Sequence, residues 1–215
     1  MNGKELNNLA ATYLENKDYE QAMLYFKKAS DEGYFIAMYN IACMYYFGDG
    51  VVKNDALAYS WYLKASEHGD PEATNRLAVM LEQGLGIEQD IDKAFKYYLK
   101  AAKMGSLSGM CNVGICYLNQ KGVDYDYEKA FEWIDKASKL GNGIASNLLG
   151  EMYLEGNHVT ANLPQAIEYF KRGIKQEYLP AVNNLITIYQ KQPITNKKEL
   201  EDLKQLVQVL ENKEF

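Results

Sequence analysis

The chain repeats itself every 36 residues, and this period constrains its fold more than any other feature. An alanine recurs at this step five times, and a large apolar residue follows each alanine four positions later. A period of roughly 20 to 50 residues is typical of architectures in which each unit is too small to bury its own apolar face and stacks on its neighbours. The sequence therefore predicts a stack of similar units. The alanines and their apolar followers are Ala22 and Phe26, Ala58 and Tyr62, Ala94 and Tyr98, Ala130 and Ile134, and Ala166 and Phe170.

Each unit carries the signals of two helices, which we call helix A and helix B in chain order. Aspartate or asparagine occupies one position in all five units, and these side chains accept hydrogen bonds from the free amides at a helix N-terminus. We therefore predict that helix B begins after Asp18, Asn54, Asp90, Asp126 and Asn162. Glycine closes helix B in four units, at Gly33, Gly69, Gly105 and Gly141. Helix A is predicted over residues 36–47, 72–83, 108–119, 144–155 and 180–191.

The turns between helix A and helix B are rich in glycine, as in Gly48-Asp49-Gly50 and Gly84-Leu85-Gly86, which predicts backbone with positive φ. The first unit has a shorter turn than the others. Apolar residues at helical spacing, from Leu200 to Leu210, predict a capping helix over residues 197–212.

These residues resemble a known repeat. The pattern Ala37-x-x-Asn40-Ile41-Ala42-x-x-Tyr45-x-x-Gly48-x-Gly50-Val51, followed by Ala58-x-x-Trp61-Tyr62-x-Lys64-Ala65-x-x-x-Gly69, is similar to the Sel-one-like repeat (SLR), a relative of the tetratricopeptide repeat. The resemblance covers about residues 36–190. It implies an all-α fold, a right-handed superhelical solenoid of stacked antiparallel helix pairs, with about five to six units and a C-terminal capping helix.

The expected organisation is a single repeat domain over residues 1–215. It comprises a tetratricopeptide-like first unit, 1–33; SLR units at 34–69, 70–105, 106–141 and 142–177; a partial unit, 178–196; and a C-terminal cap, 197–215. Gln120, Asn157 and His158 depart from the residues expected in the turns, and Gln192-Pro193 is expected to end the last helix A early.

Charge and composition exclude several partners and compartments. Lys and Arg number 23 against 29 Asp and Glu, so the net charge of −6 repels nucleic acid and anionic lipid. The longest strongly apolar stretch, residues 33–48, is shorter than the roughly 18 residues that a membrane span needs. Three cysteines without a CxxC spacing and a start without a secretory pattern favour reduced thiols. We expect a cytoplasmic protein that binds neither nucleic acid nor membrane.

Motifs for catalysis or metal binding are weak. The sequence lacks HExxH, GxxxxGK[ST] and GxSxG, and His68 and His158 occupy separate turn positions. Asp124, Asp126 and Glu128 superficially suggest a calcium loop, but Lys129 stands where that loop requires glycine. We therefore predict no enzyme activity, no metal and no cofactor.

One face of helix A remains for a partner. At about 100° per residue, Tyr39, Cys43 and Tyr46 share one arc, whereas Met38 and Ile41 point toward helix B. We expect the equivalent positions to line a concave surface that binds a partner. The predicted partner-binding residues are Asn7, Tyr39, Tyr46, Asn75, Glu82, Ile115, Leu118, Asn147, Glu151 and Asn183.

Two interpretations of this face stay open. The tyrosines, Ile115 and Leu118 are typical interface anchors, although tight curvature or the caps would also cover them. The row Asn7, Asn75, Asn147 and Asn183 offers amides to an extended peptide, or else these side chains bond within the solenoid. Lysine and arginine do not cluster at these positions, which disfavours a clamp for acidic C-terminal tails.

The leading hypothesis is a non-catalytic scaffold or adaptor that presents its concave helix-A surface to a protein or peptide partner. The resemblance implies bacterial adaptors and regulators, and an immunity protein that neutralises a toxin is a special case. The alternative of another class is an enzyme or small-ligand module with a site built across repeats around Glu82 and Glu151. Self-association is a third possibility.

Overall fold

The computed structural model describes residues 1–191 and 197–212, and this part of the chain contains 12 α-helices. Their bounds are α1 Gly3–Glu15, α2 Tyr19–Asp31, α3 Phe35–Phe47, α4 Asp55–Glu67, α5 Pro71–Gln83, α6 Ile91–Lys103, α7 Leu107–Asn119, α8 Tyr127–Lys139, α9 Gly143–Glu155, α10 Leu163–Lys175, α11 Leu179–Lys191 and α12 Lys197–Glu211. No helix of the described ranges is long and apolar enough to cross a membrane.

The helices alternate as the period predicts. The odd-numbered helices α1 to α11 are the A helices, the even-numbered helices α2 to α10 are the B helices, and α12 is the predicted capping helix. The all-α fold class is confirmed. Of the predicted partial unit and cap, residues 192–196, which include Gln192-Pro193, and residues 213–215 lie outside the described ranges.

The predicted N-terminal caps of the B helices are confirmed in all five units. Each side-chain oxygen accepts a hydrogen bond from the backbone amide three residues later, which satisfies one of the amides that a helix start leaves free. The distances are 3.3 Å at Asp18, 3.0 Å at Asn54, 2.8 Å at Asp90, 2.9 Å at Asp126 and 3.1 Å at Asn162.

The chain divides into two compact units. Unit 1 comprises residues 1–109 and 120–124, and it holds α1 to α6. Its core contains Phe26, Ile41 and Leu77, all fully buried, and Tyr62, whose exposed fraction is 1%. These are the apolar residues that the 36-residue period places on facing helices.

Unit 2 comprises residues 110–119 and 125–212, apart from the residues outside the described ranges, and it holds α8 to α12 with most of α7. Its core includes Phe170 and Leu185, and α12 adds Leu203 and Leu210. A side chain at Gly150 would begin 2.6 Å from the ring of Phe170, so the glycine lets α9 and α10 approach closely.

The turns of the A–B type keep positive φ even where glycine is replaced. Gly86, with φ of 68°, lies against the start of α4, where an added Cβ would stand 2.3 Å from the carbonyl carbon of Asp55. His158 occupies the same place in a later unit and adopts φ of 65°, and Gln120 adopts 54°. Of the three departures from the expected turn residues, Gln120 and His158 therefore retain the left-handed backbone.

Candidate partner-binding surface

The exposed face of the A helices lies beside the one that the sequence predicted. Asn7, Asn75 and Asn147 are buried, with exposed fractions of 7%, 4% and 7%. The residue after each asparagine is accessible instead, as Arg76 and Leu148 show. The name unit 1 A face is used for one set of accessible residues of α3 and α5, namely Tyr39, Asn40, Cys43, Tyr46, Phe47, Arg76, Val79 and Glu82. The unit 2 A face consists of Asn112, Ile115, Leu118, Leu148, Glu151, Leu154, Asn183, Asn184 and Thr187.

The buried asparagines bond within the protein. Asn7 accepts a hydrogen bond from the side chain of Asn40 at 3.0 Å. Asn147 accepts one from Asn184 at 2.9 Å and donates one to Glu151 at 2.8 Å. These amide groups therefore connect successive A helices. That they also contact a partner stays a prediction.

Asn183 and Glu151 of the unit 2 A face differ in burial and in hydrogen bonding. Asn183 is exposed, and its backbone carbonyl accepts a hydrogen bond from Thr187 at 2.9 Å. Glu151 is half-buried, and one carboxylate oxygen accepts from both Asn147 and Asn184. Glu151 thereby belongs to the same amide network that joins α9 to α11.

Tyr39 lies in an aromatic cluster of unit 1. Its ring is tilted against Tyr62 with 5.5 Å between ring centroids, and the Cys43 sulfur lies 3.3 Å from the Tyr62 hydroxyl. The guanidinium of Arg76 donates to the Tyr39 hydroxyl. Burial raises the pKa of Tyr39 and of Cys43 above their ordinary values. The phenol and the thiol are therefore uncharged at neutral pH.

Tyr46 and Phe47 form the most accessible apolar part of the unit 1 A face. Their rings meet edge to face at 5.0 Å, and the Lys53 ammonium lies 5.4 Å from the centre of the Tyr46 ring. Phe47 is 62% exposed although it is fully apolar. Such an exposed ring gains free energy when it is covered.

Glu82 is neutralised inside unit 1. Its carboxylate accepts a hydrogen bond from the Tyr98 hydroxyl at 2.6 Å and forms an ion pair with Lys121 at 2.5 Å. Burial acts to raise the pKa of Glu82, but the hydrogen bonds from Lys121 and Tyr98 outweigh it, and the pKa lies below its ordinary value. This geometry stabilises a carboxylate and does not prepare one for proton transfer.

The unit 2 A face carries four apolar side chains, Ile115, Leu118, Leu148 and Leu154. Ile115 and Leu118 of α7 are half-buried, and Leu154 of α9 is exposed. Leu154 also lines an open cleft of about 470 Å³ with Leu163 and Ile188, and Thr187 and Lys191 lie at its polar edge. Glu155 and Asn184 also line this cleft, so it combines apolar contact with charged and polar groups.

The histidines and cysteines do not assemble into a reactive site. His68 bonds to the carbonyl oxygen of Lys64 at 2.9 Å, and His158 bonds to the Tyr125 hydroxyl at 2.7 Å. Burial raises the pKa of Cys111 to about 12, which keeps this thiol protonated. Within residues 1–191 and 197–212, no group of three or more His, Cys, Asp or Glu side chains is arranged to hold a metal ion.

Sequence reasoning missed the residue that follows the asparagine row. The repeat pattern itself contained the signal, because this position is polar in five units, at Asn8, Asn40, Arg76, Asn112 and Asn184. A helical projection of α3 alone did not reveal this position. In α3 the asparagine row is occupied by Tyr39, whose large ring is half-exposed, whereas the shorter Asn75 and Asn147 of the other units are buried.

Comparison with known proteins agrees with this fold. A Sel1 repeat protein of Oxalobacter formigenes superposes with a TM-score of 0.82 at 24% identity, covering 99% of this chain and 88% of that one. An immunity protein of Pseudomonas aeruginosa gives 0.73 at 20% identity, covering 97% and 86%. The protective antigen of uropathogenic Escherichia coli with an SLR fold gives 0.77 at 30% identity over 95% of this chain, which spans only 45% of the antigen. No curated protein matches the sequence.

The family comparison accounts for most of the chain. The Sel1 repeat matches five times, and the first match includes part of α1 and all of α2, so the unit with the shortened turn is matched as well. The matched segments are 8–34, 36–70, 71–106, 107–142 and 143–178. These five consecutive matches, together with the paired helices, place the chain in the Sel1 repeat family.

Proposed function

We propose that the chain is a non-catalytic scaffold that binds a protein or peptide partner on the exposed face of its A helices. Sel1 repeats mediate protein–protein interaction. The proposal adds which surface of this chain contacts the partner. The observation that carries the proposal is the aromatic part of the unit 1 A face, with Tyr46 half-buried and Phe47 62% exposed. Aromatic side chains at such positions contribute a large share of interface energy at low entropic cost.

The polar groups around these rings favour recognition over chemistry. Glu82 is already paired with Lys121, and Glu151 already accepts hydrogen bonds from two asparagines. A scaffold needs such groups to hold the A helices in fixed positions, so that a partner meets a preformed surface. The repeated helix pairs supply that rigidity.

Affinity capture with matched variants tests the proposal. The test variant, Tyr46→Ala with Phe47→Ser, removes both rings from the unit 1 A face. The control, Leu24→Ser, removes an apolar side chain that is 43% exposed on the B helix α2 of the same unit. Circular dichroism confirms that all three proteins fold equally before the tagged proteins are exposed to lysate of the source organism.

The proposal predicts that wild type and Leu24→Ser retain the same protein and that the double variant loses it. Equal retention by the double variant would overturn the assignment to the unit 1 A face. A captured toxin would identify the immunity-protein alternative as the specific role. If no protein is captured and light scattering gives a mass that rises with protein concentration, self-association is favoured. If no protein is captured and the mass is constant, a small ligand is favoured.

A further inference from the structure

We propose that Arg76 and Tyr39 form a binding site for a single carboxylate, supplied by an aspartate or glutamate side chain of the protein partner. This inference rests on the proposed function and names the chemistry that the unit 1 A face recognises. Arg76 lies on α5 and Tyr39 on α3, so the site joins two successive A helices of unit 1.

The guanidinium of Arg76 is half-buried without a counter-ion. It bonds to the hydroxyl of Tyr39, and no carboxylate within residues 1–191 and 197–212 forms an ion pair with it. The groups whose charges act on it are the phenols Tyr39 and Tyr62 and the thiol Cys43. Each of these groups is neutral at neutral pH, because burial raises its pKa. The groups that act most strongly on this positive charge are therefore uncharged at neutral pH.

Partial burial disfavours the Arg76 charge in the free protein, the hydrogen bond to Tyr39 acts in the opposite direction, and a carboxylate in a complex would favour the charge further. A partly desolvated charge without a partner costs free energy, which a hydrogen-bonded opposite charge recovers. Guanidinium carries five N–H donors in a planar fork, and the Tyr39 hydroxyl leaves several of them available. A carboxylate matches this fork with two parallel hydrogen bonds.

The other arginine of the chain is used differently. Arg172 donates to the Ser138 hydroxyl at 3.2 Å and lies over the ring of Tyr169, 5.1 Å from its centre. Arg172 therefore makes stabilising contacts inside unit 2. Within the described part of the chain, Arg76 has neither an ion pair nor a ring contact of this kind.

Charge complementarity favours a carboxylate over a phosphate. One guanidinium neutralises a monoanion, whereas a phosphate dianion would keep excess negative charge next to a chain whose net charge is −6. The aromatic anchors Tyr46 and Phe47 lie on the same face, so the fitting segment carries an acidic side chain among apolar ones. We therefore assign the site to a short acidic-apolar segment of a partner.

Nuclear magnetic resonance of the arginine side chains tests this site without knowledge of the partner. The chain has two arginines, Arg76 and Arg172, so the ¹⁵N spectrum shows two Nε–H signals, which the variant Arg76→Lys assigns. The probes are acetyl-Leu-Glu-Leu-amide, its neutral counterpart acetyl-Leu-Gln-Leu-amide, and inorganic phosphate at the same ionic strength. The two peptides differ only in the carboxylate.

We expect the glutamate peptide to shift the Arg76 signal with saturation, while the Arg172 signal stays in place. The glutamine peptide should bind about tenfold more weakly, as should the glutamate peptide to Arg76→Gln, because a charged hydrogen bond is lost. Arg76→Lys should fall between wild type and Arg76→Gln, because it keeps the charge and loses the fork.

Three results would overturn the site: no shift of the Arg76 signal, equal binding of the two peptides, or tighter binding of phosphate. Failure here remains distinguishable from failure of the proposed function. A partner captured through Tyr46 and Phe47 without a response at Arg76 would retain the scaffold and remove the carboxylate site. A carboxylate response without a captured protein would retain the site and remove the scaffold.

Discussion

Asn184 donates a hydrogen bond to the side-chain oxygen of Asn147 at 2.9 Å, and the two residues lie on successive A helices, α11 and α9. Asn40 of α3 makes the same contact with Asn7 of α1 at 3.0 Å. A buried amide is stable only when its donors and acceptors are satisfied, so each pair admits one relative position of its two helices. These asparagines therefore determine how one A helix packs on the next.

Removing one member of such a pair should destabilise the fold. Asn147→Ala leaves Asn184 and Glu151 without their shared partner, and we expect it to lower the free energy of unfolding by about 1 to 3 kcal/mol. Asn183→Ala changes an exposed side chain and should lower it by less than about 0.5 kcal/mol. Urea unfolding followed by circular dichroism measures both values. Equal losses would show that the buried pair carries no special energy.

Gly86 should tolerate a methyl group much less well than Gly69. Both residues have positive φ, 68° and 93°, so alanine is strained at either position. Only at Gly86 does the added Cβ meet backbone, 2.3 Å from Asp55, whereas nothing lies within 4 Å at Gly69. Because the start of α4 would have to move, Gly86→Ala should cost at least about 1 kcal/mol more than Gly69→Ala. Thermal unfolding of the two variants decides this, and equal costs would refute the close contact.

The contribution of Glu82 to stability should depend on pH. The pKa of Glu82 is lowered in the folded protein, so its contribution is complete above the ordinary pKa of 4.5 and is lost as the pH falls through the lowered value. Glu82→Gln should therefore be less stable than wild type at pH 7, and the difference should shrink under acidic conditions. Urea unfolding between pH 7 and pH 3 measures it.

Glu88→Gln is the matched control for this series, because Glu88 is an exposed carboxylate in the turn that follows α5. We expect its effect at pH 7 to be smaller than that of Glu82→Gln. A difference between wild type and Glu82→Gln that stays constant over the whole pH range would contradict the ion pair with Lys121.

Cations over aromatic rings recur on the B helices and should contribute measurably to stability. Lys64 lies 4.1 Å from the centre of the Trp61 ring, whereas Lys100 lies 6.0 Å from that of Tyr97. A double-mutant cycle of Lys64→Met and Trp61→Leu should give a coupling of about 0.5 to 1 kcal/mol. The cycle of Lys100→Met and Tyr97→Leu should give a smaller one because the cation is more distant. The opposite order would contradict the distances.

Local signals made most of the fold predictable. The caps at Asp18 and Asn54 act on amides three residues away, so sequence spacing alone locates the helix starts. The 36-residue period then located the helix pairs without any long-range information. Residues 192–196 and 213–215 lie outside the described ranges, so the ends of the predicted partial unit and cap stay predictions.

The accessible face was harder to predict because burial depends on two neighbours at once. A helical projection treats helix A alone, whereas α9 contacts both α10 and α11. Asn147 is consequently buried against the next A helix, and Leu148 is accessible. Arg76 was not predicted for the same reason, since its neighbour Tyr39 lies on another helix.

The longer turns, including the one that contains His158, are held by backbone hydrogen bonds. In each longer turn the amide of the capping residue bonds back to a carbonyl of helix A, as Asn162 does to Tyr153 at 2.8 Å and Asn54 to Tyr45 at 2.9 Å. The backbone path is thus held by groups that every amino acid possesses. Exposed side chains of these turns, such as Glu88, can therefore be exchanged without altering the helices, whereas the place of Gly86 has no room for a Cβ. The outer edge of the turns is thus a place where new specificities can evolve or be designed.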